Sequence, residues 1–304
     1  MTARTVLAGL AGLAIAAPAA AQDEAPRHSI GTDISYSSNA DDTEVVRLGL
    51  NADVRYRSEE DYLGLRLERN IYRPSGLDRR HDSRVYLRLA RPIGDWKASS
   101  TIGTDGHNVY GSASLHDDSP WRKEVFVERD KVETPIGVSR PITYTFAGAA
   151  LDLPLAKSTQ ATVLGGVQTF TGDNVRTHLR ANFIQVVQPD WGLSLQLRTR
   201  YFHNSVPREY DYFSPRWYAE VLPMVQVRRF VGGWRALAAA GFGAQRDNAS
   251  DWRQSRYLNL RLTSPQDRMG WALNTDLTYS NLPVTNFSDR YSYFRVTAGL
   301  ARHF

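Results

Sequence analysis

The sequence predicts an all-β chain closed as a transmembrane antiparallel up-and-down β-barrel of about 16 strands, or 14 or 12 if the weakest runs are loops. Three observations predict it: an export signal, short runs that alternate lipophilic with charged residues, and an alternating last strand that ends on Phe304. The composition agrees. Hydrophobic residues are 42% of the 304, too few for a helical membrane protein. Cys is absent, which excludes disulfide scaffolds, thiolate zinc sites and cysteine nucleophiles.

In chain order, residues 1–21 place Arg4 ahead of an apolar run from Thr5 to Ala17, then Pro18 and Ala19-Ala20-Ala21. A short basic region, an apolar core and small residues before a cleavage point form a signal peptide. Residues 22–28 are then a short periplasmic segment and 29–304 the barrel, with no linker-like break or internal repeat.

From residue 29 the pattern has period two. Val46, Leu48, Leu50, Ala52, Val54 and Tyr56 alternate with Arg47, Gly49, Asn51, Asp53, Arg55 and Arg57. Leu63, Leu65, Leu67 and Ile71 alternate with Gly64, Arg66, Glu68 and Asn70, and Val85, Leu87 and Leu89 with Arg84, Tyr86 and Arg88. The same holds for Leu193, Leu195, Leu197 and Tyr201 against Gln196, Arg198 and Arg200, and for Leu258, Leu260 and Leu262 against Tyr257, Asn259 and Arg261. Turn clusters such as Ser58-Glu59-Glu60-Asp61, Thr171-Gly172-Asp173-Asn174 and Gly232-Gly233 separate the runs. Strand starts fall near residues 29, 45, 62, 82, 96, 108, 121, 143, 160, 174, 192, 212, 234, 252, 269 and 290. That leaves about 18 residues per strand and connection, against about 9–11 needed to span. Longer loops are expected at 130–142 and 204–211. Seven Trp, mostly near strand ends, suit interfacial girdles. Alternation alone also suits a soluble sandwich; the export signal and the strand number decide against it.

The basic residues are 33 Arg and 4 Lys. With Leu and Val toward lipid, the lumen receives Arg47, Arg55, Arg57, Arg66, Arg84, Arg88, Arg180, Arg198, Arg200, Arg228, Arg235, Arg261 and Arg295. The acids in phase with them are Asp53, Glu68, Glu220 and Asp276. Cross-strand ion pairing then leaves an excess of about nine guanidinium groups, and such a wall attracts anions along a water-filled path.

Two local patterns resemble known families. The last strand, with Phe294, Val296, Ala298, Leu300 and Phe304 on one face, resembles the C-terminal sorting signal of Gram-negative outer-membrane barrels; Arg302 departs from it. The run Asp211-Tyr212-Phe213-Ser214-Pro215-Arg216-Trp217-Tyr218 is followed by Arg228-Arg229, by Gly232-Gly233-Trp234-Arg235 and by Gly241-Phe242-Gly243. It resembles the C-terminal barrel of bacterial exopolysaccharide exporters of the cellulose and poly-N-acetylglucosamine type. Surface-lipoprotein assembly modifiers carry a similar barrel. The resemblance implies sixteen strands, Pro215 at the first residue of a strand, a hairpin at Gly232-Gly233 and export of a polysaccharide. Those exporters also carry a periplasmic helical-repeat arm. About seven residues precede the first strand here, so a separate periplasmic scaffold is the expectation.

His203 and Ser205 fall on one strand face, similar to the outer-membrane phospholipase arrangement, but Val206-Pro207 follow where that family has Asn-Gly. The other His residues lack ligand spacing. No cofactor, metal, catalytic residue or nucleic-acid partner is expected. The expected partners are outer-membrane lipid, the barrel-assembly machinery, the polysaccharide and an inner-membrane synthase. The alternatives are a general or anion-selective porin, a protein-translocating barrel and a phospholipase-like enzyme.

Overall fold

The computed structural model describes residues 28–39, 42–265, 270–281 and 292–304. The proposed signal peptide and residues 22–27 lie outside the described residues. Sixteen strands follow one another: β1 (Ser29–Asn39), β2 (Glu44–Ser58), β3 (Asp61–Arg73), β4 (Arg80–Ile93), β5 (Trp96–Thr104), β6 (Val109–Asp117), β7 (Lys123–Lys131) and β8 (Thr143–Ala156). The second half is β9 (Thr159–Phe170), β10 (Val175–Gln188), β11 (Leu193–Asn204), β12 (Trp217–Val231), β13 (Trp234–Asp247), β14 (Arg253–Thr263), β15 (Trp271–Ser280) and β16 (Tyr293–His303). Each is antiparallel to the next, and β1 closes on β16 with Ser29 opposite His303, so the sheet has no free edge.

The alternation places the side chains. Leu65, Leu67, Val85, Leu87, Leu179, Leu195 and Val225 stand outward at 45–56% exposure. On the same strands Arg66, Glu68, Arg84, His178, Ser194 and Gln226 point inward and are buried. The opposite arrangement would set charges against acyl chains at about 2–4 kcal/mol each near the bilayer midplane. The apolar outer face is therefore the lipid contact. Trp96, Trp234 and Trp271 open strands at the rim that carries the chain termini, while Trp217 and Trp252 stand at the far rim. Arg302 also faces outward, with its guanidinium over the Trp271 ring at 5.7 Å. The departure from the sorting pattern thus becomes an interfacial cation–π pair.

Connections at the terminal rim run from two residues (59–60) to seven (264–270), and those at the far rim reach eleven (132–142) and twelve (205–216). Gly232 and Gly233 have φ of +55° and +82°, as a two-residue hairpin of type I′ requires. Two sequence expectations need correction. β12 begins at Trp217 and not near 212, so Pro215 does not open a strand; Tyr212, Phe213, Ser214 and Pro215 lie buried in the 205–216 loop. Their run of aromatic, small and imino residues fits a packed loop as well as a strand start. The second correction comes from a bulge at Val54, which shifts the β2–β3 register so that Arg55 pairs with Leu63 on the outer row. Arg55 is then not lumenal and meets Asp61 at 3.1 Å at the terminal rim. Tyr56 turns inward, stacking on His303 at 4.1 Å.

The far-rim loops 132–142 and 205–216 fold into the bore. Residues 132–142 carry a short helix, α1 (Pro135–Ser139), capped by the Thr134 hydroxyl, which accepts from the Gly137 amide. Val138 packs on Val45 and Tyr72. Asp211 of the other loop accepts from the Thr134 hydroxyl and from the Ile136 amide, each at 2.7 Å, and joins the two loops.

Close packing inside the wall has a local test. A Cβ on Gly49 would stand within the Arg66 guanidinium. Gly49→Ala is expected to displace Arg66 and cost about 1–3 kcal/mol, read as a lower unfolding temperature in detergent micelles.

Candidate functional site in the lumen

The arginines expected in the lumen divide into two populations. On β2–β4 and β7 they are neutralised. Arg47 reaches Glu68 at 3.4 Å and Asp130 at 3.2 Å, and also pairs with Glu133. Arg84 meets Asp130 at 2.8 Å and Asp82 at 3.2 Å, with its guanidinium 3.9 Å above the Tyr110 ring. Arg66 bridges Asp33 and Glu68, and Lys131 meets Asp82 at 2.7 Å. The cluster holds four cations (Arg47, Arg66, Arg84, Lys131) and five carboxylates (Asp33, Glu68, Asp82, Asp130, Glu133). Arg88 pairs with Asp53 at 3.0 Å. Bonds from β2 and β4 to β7 fasten one side of the lumen together, so the expected free excess does not exist there. Of these acids, Asp33, Asp82, Asp130 and Glu133 were missed in the sequence. Glu133 lies outside the strands, and Asp130 sits at the end of β7 beside the inward loop.

On β10–β14 the balance is different. Arg180 of β10 and Arg200 of β11 are directly opposed in register, and Arg198 is opposite Asn182. Like charges face to face destabilise a sheet. Among the described residues no carboxylate lies within 4.0 Å of Arg180 or Arg198, and Arg200 reaches Glu220 only at 3.9 Å. The Nε atoms of all three are buried without a hydrogen-bond partner among the described residues. Aromatic faces hold two of them: Arg198 lies 4.3 Å from the Tyr257 centroid and Arg180 5.4 Å from that of Phe146. The three line a cavity of about 360 Å³, shared with Gln196, Gln226 and Asn259 and with two acids, Glu124, which pairs with Arg122 at 3.0 Å, and Glu128, which accepts from the Tyr144 hydroxyl. Met224, Leu237, Ala239 and Tyr257 also line the cavity, an apolar patch that strand alternation does not reveal.

Nearer the terminal rim, Arg228, Arg235 and Arg261 lie on the inner row of the adjacent strands β12, β13 and β14. Arg261 and Arg295 share Asp276, at 3.0 and 3.5 Å. Toward the far rim, Arg176 was missed, although it is in phase with Arg180 in the alternation Arg176-Thr177-His178-Leu179-Arg180. It is fully buried beneath the 205–216 loop. Tyr212 of that loop stacks on Phe170 at 4.3 Å, and burial holds its phenol well above its ordinary range. Tyr218 stacks on Phe202 at 4.9 Å, while Trp234 stays at the terminal rim.

His203 and Ser205 do share the outer face, but no hydrogen bond joins them among the described residues. The Ser205 hydroxyl accepts from the Val175 amide at 2.8 Å. Among the described residues no group of three or more His, Asp or Glu could hold a metal ion.

No protein-family model and no curated protein sequence matches the chain. Solved structures do. A bacterial polysaccharide outer membrane secretin superposes with a TM-score of 0.67 at 14% identity, over 93% of this chain and 100% of that one. OccAB3 of Acinetobacter baumannii gives 0.47 at 10% identity over 91% and 99%, and OccK5 (OpdH) of Pseudomonas aeruginosa 0.46 at 10% over 92% and 99%. The first likeness is one of fold, a closed antiparallel outer-membrane barrel.

Proposed function

We propose that the chain is an outer-membrane conduit of a Gram-negative bacterium that passes a secreted, anionic polysaccharide through its lumen. One observation carries this reading: Arg180, Arg198 and Arg200 converge on one cavity, two of them in direct register and none with a carboxylate closer than 3.9 Å among the described residues, while Glu124 and Glu128 of the same lining are engaged by Arg122 and the Tyr144 hydroxyl. A water-filled bore lined this way lowers the energy of an anion and raises that of a cation. The likeness in fold to a polysaccharide outer membrane secretin supports the same reading.

The terminal rim, with its short turns, faces the periplasm and the long loops face outside, as in outer-membrane barrels generally. The polymer enters past Arg228, Arg235 and Arg261, moves along the β10–β11 wall, and leaves at the far rim. Transport is passive, driven by an inner-membrane synthase, with a separate periplasmic scaffold feeding the barrel. The neutralised side formed by β2–β4 and β7 stiffens the wall and takes no part in the path.

Deleting the gene is expected to trap polymer in the periplasm and strip it from the cell surface, measured by polymer assay of the two fractions. Normal surface polymer in the deletion strain, with small-anion conductance in the purified protein, identifies an anion-selective porin instead.

A further inference from the structure

We propose that Arg176 is the last anion-binding rung of this path and that the 205–216 loop is a lid occupying that rung until a carboxylate-bearing glycan arrives. The inference rests on the reading of the lumen as an anion path. Arg176 precedes Arg180 by four residues on the inner row of β10, which places it about 13 Å nearer the far rim along the strand. It therefore stands where an anion leaving Arg180 and Arg200 toward the far rim next meets a guanidinium. In the closed state the lid is already there. The Arg176 Nη2 donates to the Phe213 carbonyl at 2.5 Å, and its Nε donates to the Asn204 side-chain oxygen at 2.8 Å. Asn204 in turn donates to the Pro215 carbonyl. The rings of Phe202 and Phe170 stand 4.4 and 5.0 Å from the guanidinium carbon and fix its plane.

The lid is thus tied to the wall through neutral oxygen acceptors on the cation that the substrate would seek. A carboxylate adds its own charge to the bond and can accept from guanidinium through two parallel N–H donors, which a single carbonyl oxygen cannot do. An arriving acid group displaces the Phe213 carbonyl and frees the loop. The movement passes to the second loop, because Asp211 holds Thr134 and the Ile136 amide of α1. Opening is thereby coupled to the presence of cargo, and the open probability is low between polymers.

The chain has no Cys, so a single pair can be introduced cleanly. Thr134→Cys with Asp211→Cys, oxidised, is expected to reduce conductance in planar bilayers at least tenfold, with recovery in dithiothreitol. Unchanged conductance of the cross-linked protein overturns the lid. In wild type, an oligogalacturonate hexamer in both chambers is expected to raise the open probability several-fold. Arg176→Gln is expected to raise the basal open probability and abolish that response. A response that persists in Arg176→Gln, or a variant as closed as wild type, overturns the competition at Arg176. Wild-type ion selectivity, read in the same bilayers, separates the two levels. An anion-selective channel with an inert lid refutes this inference alone, and a cation-selective one removes the path on which it rests.

Discussion

Asp130→Ala is expected to destabilise the barrel by about 3–5 kcal/mol, a loss at the upper end for a single substitution. Asp130 accepts from Arg47 at 3.2 Å and from Arg84 at 2.8 Å, and both guanidinium groups are almost wholly buried. Removing the carboxylate leaves two cations close together, out of reach of water, with the shared partner gone. The remaining acids, Glu68, Asp82 and Glu133, are already engaged with the same cluster. The effect reaches the far rim as well. Asp130 lies just before the 132–142 loop, and Glu133 in that loop pairs with Arg47. Loss of order in the network therefore loosens the seat of α1 against Val45 and Tyr72. Chemical unfolding in micelles, followed by circular dichroism, measures the change. A midpoint within experimental error of wild type would show that the network is not what holds this side of the lumen together.

Replacing Arg180, Arg198 and Arg200 together with Gln is expected to have the opposite balance of effects, leaving stability intact and removing function. The three have little carboxylate pairing to lose, and the Arg180–Arg200 opposition costs about 0.2–1 kcal/mol as it stands. The variant should unfold at or above the wild-type midpoint. In a bore of water-like dielectric, a guanidinium about 8 Å from a passing monovalent anion contributes about 0.5 kcal/mol, and three contribute about 1.5 kcal/mol. A cation is raised by the same amount, so the anion-to-cation permeability ratio should fall about a hundredfold at low salt, and less at high salt as screening shortens the range. The polymer should also be retained in the periplasm. Full polymer export by the triple variant would place the path elsewhere in the lumen.

Much of the fold was legible because a membrane barrel has one strict rule, that lipid meets only apolar side chains. Runs such as Leu63 to Leu67 and Leu258 to Leu262 follow it without interruption, and strand starts from 29 to 234 fell within a few residues of those observed, apart from β12. What failed, failed where the rule is suspended. The bulge at Val54 inserts a residue, so everything beyond it in β2 changes face, and Arg55 and Tyr56 exchange places. Alternation carries no mark of a bulge. Residues 211–216 sit in a loop that turns into the bore, where aromatic residues pack as they do in a strand.

The site was legible in type and not in arrangement. Period two assigns an arginine to the lumen but does not say which acid reaches it. Arg47, Arg66 and Arg84 looked like Arg180, Arg198 and Arg200 in the sequence. They differ because Asp130, Glu133 and Asp33 arrive from strands or loops distant in the chain. Arg176 was readable from its phase alone, whereas its role beneath the loop needed the tertiary structure.

The central claim is that guanidinium groups on one wall of an enclosed bore set the sign of the charge that passes. The most direct measurement is the reversal potential of the purified wild-type protein in a planar bilayer under a potassium chloride gradient. The expected result is a potential of the sign set by chloride, shrinking as the salt concentration rises. A potential near zero, or one of the sign set by potassium, would contradict the claim.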